Sequence, residues 1–450
     1  MNYKILWLLV LAWPLKTAAQ SNWDLKTCIE YGLKNNRSNA VYANEKLIAD
    51  AKAKEALAAY LPSIGITSTL DNNLMVQETV IPAGIFGPKD IRVAFTKKFN
   101  ANQVARLDQT LYDQSLLTGL KANKYNRQQA NLNQQKNDET IIYNISNAYA
   151  QVFIYREQLG MLHDNLNTYN RQMELTGFQV KKGVRLQKDL DKVTVDYNNT
   201  RSQIAVAESN LDLANNQLKY EMGYPMDSNF AVDSTGANVF QNIAPLLTEN
   251  SSFSAVNRTD YRLSQINLQL LEIDQQRIKA GALPKLTAYA QYGAVGFGDQ
   301  LGPAYNTLSP YSAIGLKLTI PLFDFFKRSA QYKQAAYKSL NAKENLKIDE
   351  DKYRLGFANA RTKLLKEQSN VENSQRNIEL AKSVFNTTNL QYQKGTTDLT
   401  DWLNAQNSLK EAQNNYLNGL YTLFQSRIEL ENAGGTLKSF YTGLPAAHEK

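Results

Sequence analysis

The chain has 450 residues but only one cysteine, Cys28, and two histidines, His163 and His448. A single cysteine excludes an internal disulfide. Together with two scattered histidines it leaves no ligand set for a zinc, copper or haem site, so no metal and no cofactor is expected. A Cys–His dyad remains formally open. Cys28 falls in an expected helix, however, where a lone cysteine is ordinarily a small buried hydrophobe. No phosphate-binding loop, nucleophile elbow or HExxH motif is present. Residues 293–298 contain three glycines, but they lie at a strand end before a loop, whereas a dinucleotide fingerprint opens a helix. The carboxylates Asp349, Glu350 and Asp351 read as a solvated helix face. Nothing in this inventory supports an enzyme.

Long apolar runs are missing too. After the first residues no segment reaches the roughly 20 apolar positions of a membrane helix. Residues 1–19 read as a signal peptide: Lys4, then an apolar stretch, then small residues at 17–19. The remainder is then a water-soluble protein or a membrane β-barrel, the other structure that satisfies its backbone in lipid. The formal charge of +8 falls to +6 without Lys4 and Lys16, and the basic residues are interspersed with acidic ones. No basic block with interleaved aromatics occurs, so no nucleic-acid partner is expected.

Proline is absent from residues 89–224 and 322–444, and proline breaks helix interiors. These two tracts repeat each other at an offset of 212: Gly183 matches Gly395, Asp189 matches Asp401 and Gly223 matches Gly435. In the first, Ile141, Ile145, Ala148, Val152, Leu162, Tyr169 and Met173 belong to a seam of 4-3-4-3 spacing. Its counterpart in the second runs from Tyr353 through Ala360, Leu364, Glu367 and Val371 to Phe385. Such a 3.5-residue period over several heptads predicts a coiled coil. Each tract reads as a helical hairpin turning at Gly183 or Gly395, the first with an up-going helix over about 114–182. At 1.5 Å per residue that helix would span roughly 100 Å.

Ahead of each hairpin lie a helix and strand-like segments. The helices occupy about 24–60, with a break at Asn35 and Asn36, and 257–283; both end at a Leu-Pro pair, Leu61-Pro62 and Leu283-Pro284. Ile64, Ile66 and Leu70 alternate with small polar residues. Ile314, Leu316, Leu318 and Ile320 alternate with Gly315, Lys317 and Thr319. The apolar face would pack a core in a soluble sandwich or face lipid in a barrel, with Lys317 toward water. Segments 72–90 and 295–310 read as loops. Two strands per half make four per chain, too few to close a barrel, so a membrane barrel would require several chains. The map is a signal peptide (1–19), a first repeat (20–223), an inter-repeat segment (224–256), a second repeat (257–435) and a C-terminal tail (436–450).

Several motifs, taken in order, resemble the TolC-type outer-membrane efflux channel family. They are residues 23–33, the two Leu-Pro pairs, Ile320-Pro321-Leu322-Phe323-Asp324 with its first-half version at 109–113, and above all the stretch from Tyr392 to Ala405. The resemblance covers about 20–435. It implies a mainly α fold with a membrane β-barrel: a homotrimer with one twelve-stranded barrel in the lipid bilayer and a periplasmic tunnel of long hairpins. The tunnel opens when a periplasmic adaptor and an inner-membrane efflux pump or ABC exporter dock. Tyr392 matches a tyrosine that bonds to an aspartate on the neighbouring hairpin, and Asp189 stands in that aspartate's place. Asp401 matches the upper aspartate of a ring at the aperture. Thr397 stands where a constriction arginine is usual, Lys188 replaces that arginine's threonine partner, and Asn404 stands where a second acidic ring would be. Gly183 and Gly395 are the turns and the adaptor-docking tips.

The plainer alternatives are that Tyr392 and Asp189 are a helix-surface pair, and that Asp189 and Asp401 are helix N-caps. The implied function is an exit duct for small molecules. A duct for exported polypeptide, or a periplasmic coiled-coil scaffold without a channel, is the alternative.

Overall fold

A computed structural model describes residues 23–228, 230–232 and 253–444. The expected signal peptide and much of segment 224–256 lie outside the described residues. The helices are α1 (Leu25–Asn35), α2 (Ser38–Ala58), α3 (Gln114–Leu120), α4 (Ala122–Lys181), α5 (Gln187–Met222), α6 (Thr259–Ala280), α7 (Leu301–Asn306), α8 (Lys327–Gln393), α9 (Leu399–Gly434) and α10 (Leu437–Thr442). The strands are β1 (Ser63–Asn72), β2 (Glu78–Ile81), β3 (Ile91–Ala94), β4 (Phe99–Tyr112), β5 (Lys285–Gly298) and β6 (Ser309–Thr319). No described helix is long and apolar enough to cross a membrane.

Two compact units divide the chain, and each draws on both halves of the sequence. The first takes in residues up to Asn39, Asn137–Arg258 and everything from Tyr353 on. Its core joins Leu25, Cys28 and Ile29 of α1 to Ile141, Ile145 and Tyr149 of α4, Leu218 and Met222 of α5, and Phe424 and Ile428 of α9. Asp24 starts α1 by accepting the Thr27 amide at 2.7 Å. Burial pushes the Cys28 thiol up, with a smaller push from Asp24, so it stays protonated and inert. The seam of α8 turns inward at every expected position from Tyr353 to Phe385, while the residues between, Gln368 apart, stay exposed. The expected tail is not all tail: α10 forms there and buries Leu437 in the same core.

The second unit, Ala40–Lys136 with Thr259–Lys352, carries an antiparallel sheet in the order β1-β4-β5-β6. Its register lines up Ile64, Leu107, Ala290 and Ile314 in one row across all four strands. That face is open, with Ile314 at 89% and Ile66 at 81% exposed. The opposite face carries Arg106, Asp108, Tyr289 and Lys317. There the Arg106 guanidinium grips the Asp108 carboxylate at 2.9–3.1 Å and lies 4.8 Å from the centre of the Tyr289 ring.

The strand count differs from four. Segment 72–90 is not all loop: β2 falls within it and pairs antiparallel with β3, outside the main sheet. Segment 295–310 also departs from a plain loop. There β5 continues to Gly298 and α7 folds back over its end, so close that a Cβ on Gly296 or Gly298 would strike the Ala304 backbone. Short apolar runs among glycines gave too little period to show either feature.

Candidate functional site: the hairpin turns

Within the first unit α4 turns into α5, and α8 into α9. Both turns close in the same way. Gly183 and Gly395 take left-handed backbone, φ 72° and 76°. Each donates its amide to the carbonyl three residues back, and the next amide reaches five back, Val184 to Gln179 and Thr396 to Gln391, both at 2.9 Å. This is the glycine-ended helix stop that satisfies the last free carbonyls. Open space surrounds both glycines, so backbone conformation rather than packing selects glycine there.

The return helices start differently. Asp398 caps α9, its carboxylate accepting the Asp401 amide at 2.9 Å. The matched position in the first hairpin is Leu186, and α5 begins with no side-chain cap. The expected alternative that Asp189 and Asp401 are N-caps is therefore not met. Each sits one turn inside its helix, where a carboxylate favours the positive helix end. Asp401 also accepts the Thr397 hydroxyl at 2.6 Å. Asn404 and Lys188 are exposed.

Tyr392 is 3% exposed and packs with Tyr169, Val193, Leu399, Trp402 and Leu403. The fully buried Trp402 ring is the hub: Tyr169 and Phe385 meet it edge-on at 6.0 and 5.8 Å, and its indole N–H donates to Asn389 at 2.8 Å. The cluster ties the first hairpin, through Tyr169 and Val193, to the second. The Tyr392 hydroxyl is enclosed and has no hydrogen-bond partner among the described residues. The bond to Asp189 that the resemblance implies is thus not made within this chain. Arg185 instead places its guanidinium 5.2 Å from the centre of the Tyr392 ring.

Above the turns a polar layer joins the hairpins. Gln406 donates to Asn165 at 2.9 Å, Asn165 to Gln413 at 3.2 Å, and the Tyr169 hydroxyl to Asn407 at 3.3 Å. Burial raises the Asp196 carboxyl, opposed by Lys410, and burial lowers the Lys410 ammonium, opposed by Asp196. Burial, and secondarily Asp196, also raises the Tyr169 phenol. Among the described residues no three His, Cys, Asp or Glu side chains gather as a metal site.

The stretch 392–405 spans the second of these turns, but the sequence did not single out three residues that shape the pair: Asp398, Arg185 and Trp402. Asp398 was readable as the first member of an Asp-x-x-Asp start before an apolar run. Arg185 was readable only as the repeat partner of Thr397, where an arginine is usual. Nothing local distinguished Trp402 as a hub from any other seam residue.

A family model described as outer membrane efflux protein matches residues 33–223 and 240–436. The chain is 24% identical to the outer membrane protein TolC of Salmonella enteritidis over 354 residues, 75% of this chain and 70% of that one. It is 21% identical to the alkaline protease secretion protein AprF of Pseudomonas aeruginosa over 324 residues, 69% and 64% of the two chains. The solved structure of CusC superposes with a TM-score of 0.73 at 17% identity, covering 91% of each chain.

Proposed function

Because this chain belongs to the outer membrane efflux protein family, and so resides in the outer membrane, we propose that it is the exit duct of a tripartite efflux system. Small molecules delivered by an inner-membrane pump and a periplasmic adaptor pass through it to the exterior. The observation that carries this is the β1-β4-β5-β6 sheet. One face is apolar and exposed, the other is polar and holds Arg106, Asp108 and Lys317, and the edge strands β1 and β6 have no further strand partner among the described residues. A sheet with a lipid-type face and a water-type face belongs in a barrel wall, and four strands close only by joining other copies. Three chains would bring twelve.

The hairpin turns are the gate of this duct. The contact that holds it closed is Arg185 of the first hairpin on the Tyr392 ring of the second, with Asp189, Lys188, Thr397, Asp401 and Asn404 flanking the aperture. The tips at Gly183 and Gly395, with Phe178, Val184 and Leu186 exposed beside the first, offer the adaptor an apolar docking edge. The similarity to AprF, named for protease secretion, favours a second reading in which the cargo is polypeptide.

The mass of the protein extracted from outer membranes in mild detergent tests the duct. A trimer that conducts ions in planar bilayers supports it; a water-soluble monomer or dimer would sink it. Cargo is then separated by deletion. Sensitisation to small toxic compounds supports efflux, and loss of an exported protein without sensitisation supports secretion.

A further inference from the structure

Between β6 and α8 the chain makes a hook that exposes four large apolar side chains. Leu322 is 89% exposed, Phe323 66%, Phe325 84% and Phe326 73%. The three rings form one cluster, with Phe323 4.8 Å from Phe325 and 5.9 Å from Phe326. Phe325 and Phe326 are the only non-glycine residues with positive φ among those described, at 49° and 66°. A side chain with a Cβ is strained in that region, and two bulky ones in succession are rare.

Arg328 holds the strained backbone. Its guanidinium donates to the Asp324 carboxylate at 2.8 Å, to the Gly281 carbonyl at 3.2 Å and to the Pro321 carbonyl at 3.5 Å. Its own amide reaches the same carboxylate at 3.3 Å. The Asp324 carboxylate and the Pro321 carbonyl are therefore both held by Arg328. The outside of the hook is hydrocarbon, followed at once by the exposed Lys327.

We propose that residues 322–327 are an interfacial anchor. The Phe rings lie at the headgroup–acyl boundary at the helix-bearing edge of the barrel, and Lys327 reaches the lipid phosphates. Three observations favour lipid over a protein partner. The hook continues the open apolar row Ile314, Leu316, Leu318 and Ile320 without a break. Asp324, the one acidic group in it, is already neutralised by Arg328. Its outward chemistry, aromatic rings beside a cation, is that of segments that settle at membrane surfaces. The strain has a use in this setting, because a glycine-relaxed turn would present no rings to the bilayer.

This rests on the sheet lying in lipid, so the experiment carries a reporter for each. Full-length protein bearing F326W, or L316W on the apolar sheet face, is placed in phosphatidylethanolamine–phosphatidylglycerol vesicles with brominated acyl chains. Background from the natural tryptophans is taken from the unsubstituted protein. Both reporters are expected to lose fluorescence by roughly twofold, as rings within reach of the acyl chains must. Quenching of L316W without quenching of F326W overturns the anchor and leaves the barrel standing. Quenching of neither overturns both. As a check that does not depend on a tryptophan, the F325G/F326G variant should fold with an unchanged or higher thermal midpoint in detergent yet insert several-fold less into vesicles. Loss of the trimer in detergent would instead assign the hook to a neighbouring copy and overturn the proposal.

Discussion

The Arg185 guanidinium stands over the face of the Tyr392 ring, 5.2 Å from its centre, while the Tyr392 hydroxyl is buried with no hydrogen-bond partner among the described residues. The ring, not the oxygen, is what the first hairpin holds. A cation over an aromatic face contributes about 0.5–1 kcal/mol at a partly exposed site. Replacing Arg185 with Gln should therefore raise single-channel open probability about two- to fivefold, and Tyr392→Phe should behave like the parent. Bilayer recordings in which Y392F opens the channel and R185Q does not would restore the hydroxyl to the lock.

Glu367 is the one carboxylate in the α8 seam, nearly buried, with Asn370 donating to it at 2.9 Å and Lys366 at 3.1 Å. The Asn370 hydrogen bond, opposed by burial and aided by Lys366, holds its carboxyl below the usual glutamate value of 4.5. A depressed folded-state value means its stabilisation is present above pH 4.5 and is lost as pH falls through the lower, folded value. Thermal melts from pH 5 to 3 should show the parent losing more stability than Glu367→Gln. Parallel curves for the two proteins would exclude this carboxylate as a source of acid lability.

The two faces of β6 predict opposite responses one residue apart. Leu316→Arg puts a cation on the open apolar face and should cost about 2–4 kcal/mol in a bilayer. Lys317→Ala removes one from the polar face and should leave stability within about 0.5 kcal/mol while shifting ion selectivity toward cations. Urea titrations in vesicles, with reversal potentials across a salt gradient, distinguish them. Equal destabilisation would mean that neither face meets lipid.

Trp402 predicts the strongest packing effect near the turns. Trp402→Ala removes a fully buried ring from between two hairpins and should cost about 3–5 kcal/mol. It should also leave the channel leaky, because the same cluster positions Tyr392. If thermal unfolding of the detergent-extracted protein were unchanged, the hub role would be wrong.

What could be read from sequence follows from how far each signal extends. The α8 seam was legible at every position from Tyr353 to Phe385, even at Glu367 and Ser374, because its period persists over several heptads and is copied from the first hairpin. Lys317 between Leu316 and Leu318 gave away a two-faced strand for the same reason. Short elements were not legible: β2, β3 and α7 are 4 to 6 residues long, too few for a period to register. At the turns, glycine announced the stop of each helix. The Arg185–Tyr392 contact stayed hidden because its partners are about two hundred residues apart and belong to different hairpins. Phe325 and Phe326 were hidden for another reason: left-handed backbone is legible where glycine occupies it, and here phenylalanine does.

The return helices of the two hairpins also begin unequally. Asp398 closes the start of α9, whereas Leu186 leaves the first amides of α5 without a side-chain acceptor. A missing cap is worth on the order of 1 kcal/mol at a helix start, enough to make the first turn of α5 fray before that of α9. The two hairpins are copies in sequence, yet the matched position holds Asp398 in one and Leu186 in the other, so in the proposed gate the second hairpin would act as a fixed post and the first as a door. In the proposed trimer, an opening that begins at α5 of each chain would move every second hairpin around the aperture, widening it as a triangle rather than a circle.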